Sequence, residues 1–169
     1  MIFGQEHKIV HGLLAVDDSY EQNTQAPVTI PINMEHFGHA TFVLHEAVGT
    51  TGTVTVTVQS CDNTTPDTTT AIAFNYMEMN PTAAVLSAGV ANDTWGDLKA
   101  ATTAGFGTTA GSGHIYLIEV DADGLSGTDQ YVRLLMTQLV NASVIAGVLV
   151  ILSEPEFSID GSDWPGVLV

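Results

Sequence analysis

From residue 38 onward the chain alternates apolar and polar positions with the two-residue period of extended strands. The clearest run is TVTVTVQS, in which Val54, Val56 and Val58 fall on one side and Thr53, Thr55 and Thr57 on the other, the pattern of a half-buried β-strand. GHATFVLHEA, residues 38–47, sets Thr41, Val43 and His45 opposite Phe42 and Leu44, and the GTTGT turn between the two runs predicts a hairpin. Residues 8–16 read as a first strand followed by the polar loop DDSYEQNTQ. Residues 28–32, flanked by Pro27 and Pro31, read as an edge strand or an extended connector. A Thr/Asp/Pro loop over 62–70 precedes another strand over 71–79. From His114 to Leu152 three apolar runs are broken by Asp/Gly/Ser-rich and Asn/Ser turns, as in consecutive antiparallel strands. Gly147, inside the last run, predicts a bulge or a point of close packing.

Two regions break this rhythm. Residues 80–113 hold a small-residue stretch, with a helix possible over 83–90, and then a glycine-rich excursion in which Trp95 and Phe106 are the expected anchors to the body. The last segment, SEPEFSIDGSDWPGVLV, sets isolated large apolar residues among prolines, glycines and polar groups. The pattern as a whole predicts an all-β fold, an antiparallel β-sandwich or jelly roll of about eight strands. That domain spans 1–154, with an irregular insertion at about 80–113, and an extended C-terminal tail or arm covers 155–169.

Charge narrows the function classes. The 169 residues include 3 basic and 19 acidic side chains, a formal net charge of -16. The basic residues Lys8, Lys99 and Arg133 are far apart, whereas a nucleic-acid binder needs clustered cations to displace phosphate counterions. Nucleic acid is therefore not an expected partner, and neither is an anionic membrane surface. The longest apolar run, 144–152, is far short of the roughly 20 residues of a membrane-spanning helix. The start MIFGQEHKIVHG lacks the basic-then-apolar pattern of a secretion signal, so synthesis and folding in a cytoplasm are expected. The single cysteine, Cys61, allows no intrachain disulfide and is expected to be a buried free thiol.

Candidate chemistry is sparse. His36, His39 and His45, with Glu35 and Glu46 nearby, place an H-x-x-H spacing at the start of a strand; imidazole and carboxylate suit zinc or nickel. No defined motif is matched, and a structural or surface role is expected for them. Asp121, Asp123 and Asp129 imitate the start of a calcium loop but lack its remaining ligands, and a hairpin turn explains the same residues. No nucleophile elbow, Cys–His arrangement or phosphate-cradling glycine loop is present. The expectation is a protein that is not an enzyme and uses no cofactor.

Four segments carry a resemblance: HATFVLHEAVGTTGTVTVTVQSCDN, TAIAFNY, DTWGDLKAATTAGFGTTAGSGHIYLIEVDADGL and YVRLLMTQLVNASVIAGVLVIL. In this order they resemble the decoration (cement) proteins of tailed-phage heads. The resemblance implies a β-sandwich on the outer capsid surface of a virion. There it would bind the major capsid protein, stabilise contacts between capsomers and associate with itself, as a homotrimer. The DDSYEQNTQ loop and the long tail depart from that pattern. Met1, Ile2 and Phe3 at one end, and Phe157, Ile159, Trp164, Val167 and Leu168 at the other, are the expected partner-contacting residues, since aromatic and apolar anchors dominate interfaces. Two alternatives remain: a head–tail connector or tail-associated virion protein, and a carbohydrate-binding jelly-roll module.

Overall fold

In a computed structural model of the chain, the described residues are 3–16, 28–47, 51–79, 95–110, 113–140, 142 and 144–156. A one-turn helix, α1 (Phe3–Glu6), precedes eleven strands. These are β1 (Lys8–Val16), β2 (Ile32–Asn33), β3 (Phe37–Glu46), β4 (Thr53–Cys61), β5 (Thr69–Ile72), β6 (Phe74–Met79), β7 (Lys99–Ala101), β8 (Phe106–Gly107), β9 (Ile115–Asp121), β10 (Tyr131–Val140) and β11 (Ala146–Pro155). They form two antiparallel sheets. One has the order β1-β11-β3-β9-β6-β7, and the other β2-β10-β4-β5 with β8 also on β4.

This order is that of a jelly roll. The first half of the chain pairs with the second half read backwards: β1 with β11, β2 with β10, β3 with β9, and β4 with β5. The chain is thus one long antiparallel ribbon wrapped across two layers, with β6, β7 and β8 inserted between β5 and β9. The predicted all-β sandwich is the observed architecture. Of the residues expected to form an irregular insertion, 95–110 supply β7 and β8; the possible helix over 83–90 lies outside the described residues.

The strand periodicity sorts side chains correctly into the layers. Phe42 and Leu44 of β3, Val54, Val56 and Val58 of β4, Tyr116 and Ile118 of β9, Leu134 and Met136 of β10, and Val148, Val150 and Leu152 of β11 fill one core. Burying each such side chain contributes about 1.5–3 kcal/mol. Phe106 anchors the insertion: its ring stacks on Tyr76 at 4.0 Å and leans on Phe74 and Tyr116. Trp95, the other expected anchor, sits at the surface and forms a β-bridge with Met79 at the end of β6.

Several pairings differ from expectation, all for one reason. β3 and β4 do not form a hairpin, because β3 lies between β11 and β9 while β4 lies between β10 and β5. The link between them crosses from one layer to the other. Gly52 sits where a Cβ would be 2.5 Å from the carbonyl oxygen of Ala142, on the neighbouring β10–β11 crossing. The expected strand over 71–79 is two strands, which change sheets at Ala73 while Ile72 and Phe74 both stay buried. The Asp-rich link after β9 is likewise not a hairpin: a 3-10 turn (Ala122–Gly124) and a positive φ of 61° at Gly127 carry the chain across to β10. In each case both strands face the same core, and at Ala73 the apolar alternation runs on unbroken from Ile72 to Phe74. Gly147 pairs regularly with His45, and register shifts fall instead on β1, between His11 and Leu13 and between Leu13 and Val16, and on β10 between Gln138 and Val140.

Candidate interaction face

The two sheets present unlike faces to solvent. On the five-stranded sheet the outward positions of β4 and β10 include Thr55, Thr57, Gln59, Arg133 and Thr137, with Arg133 Nε donating to Gln59 Oε1 at 3.0 Å. Leu135 and Leu139, the latter 58% exposed, interrupt this otherwise polar strand surface. On the six-stranded sheet, register aligns His11, Leu149, Val43, Leu117 and Met77 in one row across β1, β11, β3, β9 and β6. A neighbouring row begins Ile9, Ile151, Thr41; on the other side His45, Ile115 and Met79 continue the apolar surface. Ile9 and Leu149 are 55% and 42% exposed, large values for side chains so apolar. Scattered exposed apolar residues are normal, but contiguous rows mark a contact surface.

Toward the β1 edge this face deepens into an open groove of about 410 Å³, lined by His11, Leu13, Leu14, Val43, His45, Ile145, Val148 and Leu149 among others. Leu14 is 63% exposed and Ile145 46%. Among the described residues no carboxylate lines it, although acids outnumber bases in this chain by 19 to 3.

Among the described residues, Glu119 and Asp121 of β9 are the carboxylates on this outward face, away from the groove. Glu119 and Asp121 of β9 flank His39 of β3: the imidazole binds Glu119 Oε2 through Nε2 at 2.5 Å and Asp121 Oδ1 through Nδ1 at 2.7 Å, and Thr41 Oγ1 donates to Glu119 at 2.8 Å. The hydrogen bond with Glu119, assisted by Asp121 and opposed by burial, raises the His39 pKa to about 9, so the ring is an imidazolium at neutral pH. Burial pushes the Glu119 carboxyl up, but hydrogen bonds from His39 and Thr41 outweigh it and hold the pKa below its ordinary value. The imidazolium offsets one of the two negative charges, leaving the triad with a net charge of -1.

A second polar cluster lies between layers. His114 is buried with Nδ1 2.9 Å from Glu78 Oε1, too poorly aligned for a hydrogen bond, and no hydrogen-bond partner is present for either ring nitrogen. Burial, opposed by Glu78, lowers its pKa and keeps the ring neutral. Thr109 donates from Oγ1 to Glu78 at 3.1 Å and from its backbone N–H to the Tyr116 hydroxyl at 2.9 Å, tying the insertion to the body.

Of the residues singled out from sequence for metal chemistry, His39 and Asp121 are brought together and His36, His45 and Asp129 have other surroundings. His39 is held by the two carboxylates, His36 lies 3.8 Å from Glu156, and His45 opens into the apolar groove. Asp121 binds His39, while Asp129 accepts from Ser60 Oγ at 2.7 Å. Among the described residues no three His, Cys, Asp or Glu side chains converge on a common point. Cys61 is fully buried, and burial, with smaller contributions from Asp129 and Asp62, raises its thiol to about 11.

Of the expected partner-contacting residues, Phe3 is half exposed in α1 with its ring stacked on His7 at 4.3 Å. Met1, Ile2, Phe157, Ile159, Trp164, Val167 and Leu168 lie outside the described residues. The apolar rows on the six-stranded sheet were not singled out from sequence. Their signal is visible there: AGVLVIL and IYLI are apolar on both alternating sides, as strands covered on both faces are. Searches against family models, curated proteins and solved structures return no match for this chain.

Proposed function

We propose that this protein is a structural component of a virus particle, a capsid decoration protein that binds the outer face of the head and stabilises contacts between capsomers. The observation that carries this reading is the contrast between the two solvent faces of the jelly roll. One is a Thr/Gln/Arg surface interrupted by Leu135 and Leu139 of β10; the other carries apolar side chains in register across five strands, and its described carboxylates, Glu119 and Asp121, are both bonded to His39. A surface of that kind exists to be covered by protein. The order of the four sequence segments that resemble head decoration proteins supplies the particular assembly. A net charge of -16 suits a protein that sits outside a DNA-filled shell and must not bind its contents.

The test is co-sedimentation with empty shells assembled from the major capsid protein encoded alongside this chain. Saturable binding, at a fixed number of copies per capsomer, supports the reading. Folded protein that stays in the supernatant at every ratio overturns it.

A further inference from the structure

We infer that Glu78 and His114 form an acid-sensitive latch: while the imidazole is neutral Glu78 fastens both ends of segment 95–110, and protonation of His114 draws the carboxylate away and releases them. Glu78, in β6, is where that segment is tied down. Its backbone carbonyl oxygen accepts from the Gly96 N–H at 2.9 Å. Its Oε2 lies 3.5 Å from Lys99 Nζ, and its Oε1 accepts from Thr109 Oγ1 at 3.1 Å. The two ends of the segment thus converge on one side chain that is 12% exposed. The same Oε1 lies 2.9 Å from His114 Nδ1.

His114 is the competitor for that oxygen. The ring is 1% exposed and stacked on Tyr116 at 5.8 Å, and neither ring nitrogen has a hydrogen-bond partner among the described residues. A buried imidazole in that state cannot take a charge without rearrangement, because an unpaired buried cation costs far more than a neutral ring. Burial accordingly holds its pKa below the ordinary 6.5, against the pull of Glu78. Once protonated, both nitrogens are donors. A buried imidazolium beside the carboxylate then outcompetes the Thr109 hydroxyl and the half-exposed, better screened Lys99 ammonium. The other titratable groups on the neighbouring strands are Tyr116 of β9 and Glu46 at the end of β3. The Tyr116 hydroxyl, raised in pKa by burial, stays neutral and accepts from the Thr109 N–H at 2.9 Å. Glu46 is buried, and its backbone N–H donates to the His114 carbonyl oxygen at 2.9 Å.

The released form gives the imidazolium its partner and so binds the proton more tightly. Falling pH therefore shifts the balance toward release, beginning below 6.5. The middle of the segment is held independently. The Thr108 N–H donates to the Val54 carbonyl oxygen at 2.9 Å, the Val54 N–H donates to Thr108 Oγ1 at 3.1 Å, and Phe106 is stacked on Tyr76. Acid thus loosens the ends at Gly96 and Thr109 while Phe106 and Thr108 stay on the body.

Amide hydrogen exchange of the full chain at about pH 7.5 and about pH 5.2, corrected for intrinsic chemical rates, tests this. The Gly96 and Thr109 amides are expected to lose roughly tenfold or more in protection at the lower pH, while the Thr108 and Val54 amides keep theirs. His114→Phe, which keeps an aromatic ring beside Tyr116, is expected to abolish the change. Equal protection of Gly96 and Thr109 at both pH values in wild type overturns the latch. So does a loss shared by Thr108 and Val54, which is general acid unfolding, or a loss that survives in His114→Phe. If that variant does not fold, the wild-type titration followed by nuclear magnetic resonance decides. The His114 ring and the Thr109 amide must then shift with one midpoint below 6.5; separate midpoints, or a His114 midpoint at or above that value, overturn the proposal.

Discussion

Replacing His39 by glutamine removes the charge at the centre of the Glu119–His39–Asp121 triad while leaving a side chain able to donate one hydrogen bond. In the folded protein the imidazole pKa rises from 6.5 to about 9. At 1.36 kcal/mol per pH unit, that sets a ceiling of about 3.4 kcal/mol on what the charged ring contributes to stability. Asp121 is 70% exposed, so solvent screens its share, and a contribution of about 1–2 kcal/mol is the realistic expectation. The pH dependence has a definite sign. A raised histidine pKa stabilises fully below 6.5, and the effect is lost as pH rises through about 9. The lowered Glu119 pKa acts through the same contact; its effect is present above the ordinary 4.5 and fades as pH falls below that value. The advantage of wild type over His39→Gln is therefore largest between those limits. Urea unfolding of both proteins at about pH 5.5 and about pH 10 measures it, and the difference in unfolding free energy should shrink by about 1–2 kcal/mol at the higher pH. A difference that is equal at both pH values, or that grows in alkali, refutes the charged-triad reasoning.

Three further outcomes are expected. Gly105 has a φ of 75° and sits where a Cβ would overlap the Val56 carbonyl oxygen, so Gly105→Ala should cost about 2–4 kcal/mol in chemical unfolding. Phe106→Ala removes the ring packed among Phe74, Tyr76 and Tyr116. It should cost about 3–5 kcal/mol, with hydrogen exchange accelerating most across residues 95–110. Cys61, buried and with its thiol raised to about 11, should resist a disulfide reagent at about pH 8 in the folded protein and react stoichiometrically once unfolded.

Layer assignment was legible in the sequence; strand pairing was not. Alternation at Val54, Val56 and Val58, or at Phe42 and Leu44, states which side chains go inward, because the strand pleat fixes that locally. It does not state which sheet a strand joins. The strands on either side of the β3–β4 link, of Ala73 and of the Asp-rich segment after β9 lie in different sheets where short hairpins or an unbroken strand were expected, since nothing in a period-two pattern distinguishes a turn within a sheet from an arch between sheets. The contact face was half legible. The apolar outward positions of β9 and β11 are plain in the string, but only register across five strands lines up His11, Leu149, Val43, Leu117 and Met77. The bonds from His39 to Glu119 and Asp121 join residues 80 and 82 positions apart, and no local spacing encodes them. The jelly-roll ribbon explains both cases: its pairings are between the two ends of the chain, so the informative neighbours are distant in sequence.

The most direct test of the claim that the six-stranded sheet is a covered face is hydroxyl-radical footprinting of the wild-type chain. Labelling is compared between free and shell-bound protein. The account predicts that Leu149, Val43, Leu117 and Met77 lose labelling on shell binding, while Leu135 on the five-stranded sheet keeps it. Equal labelling of the six-stranded face in both states, or protection confined to the five-stranded face, would contradict it.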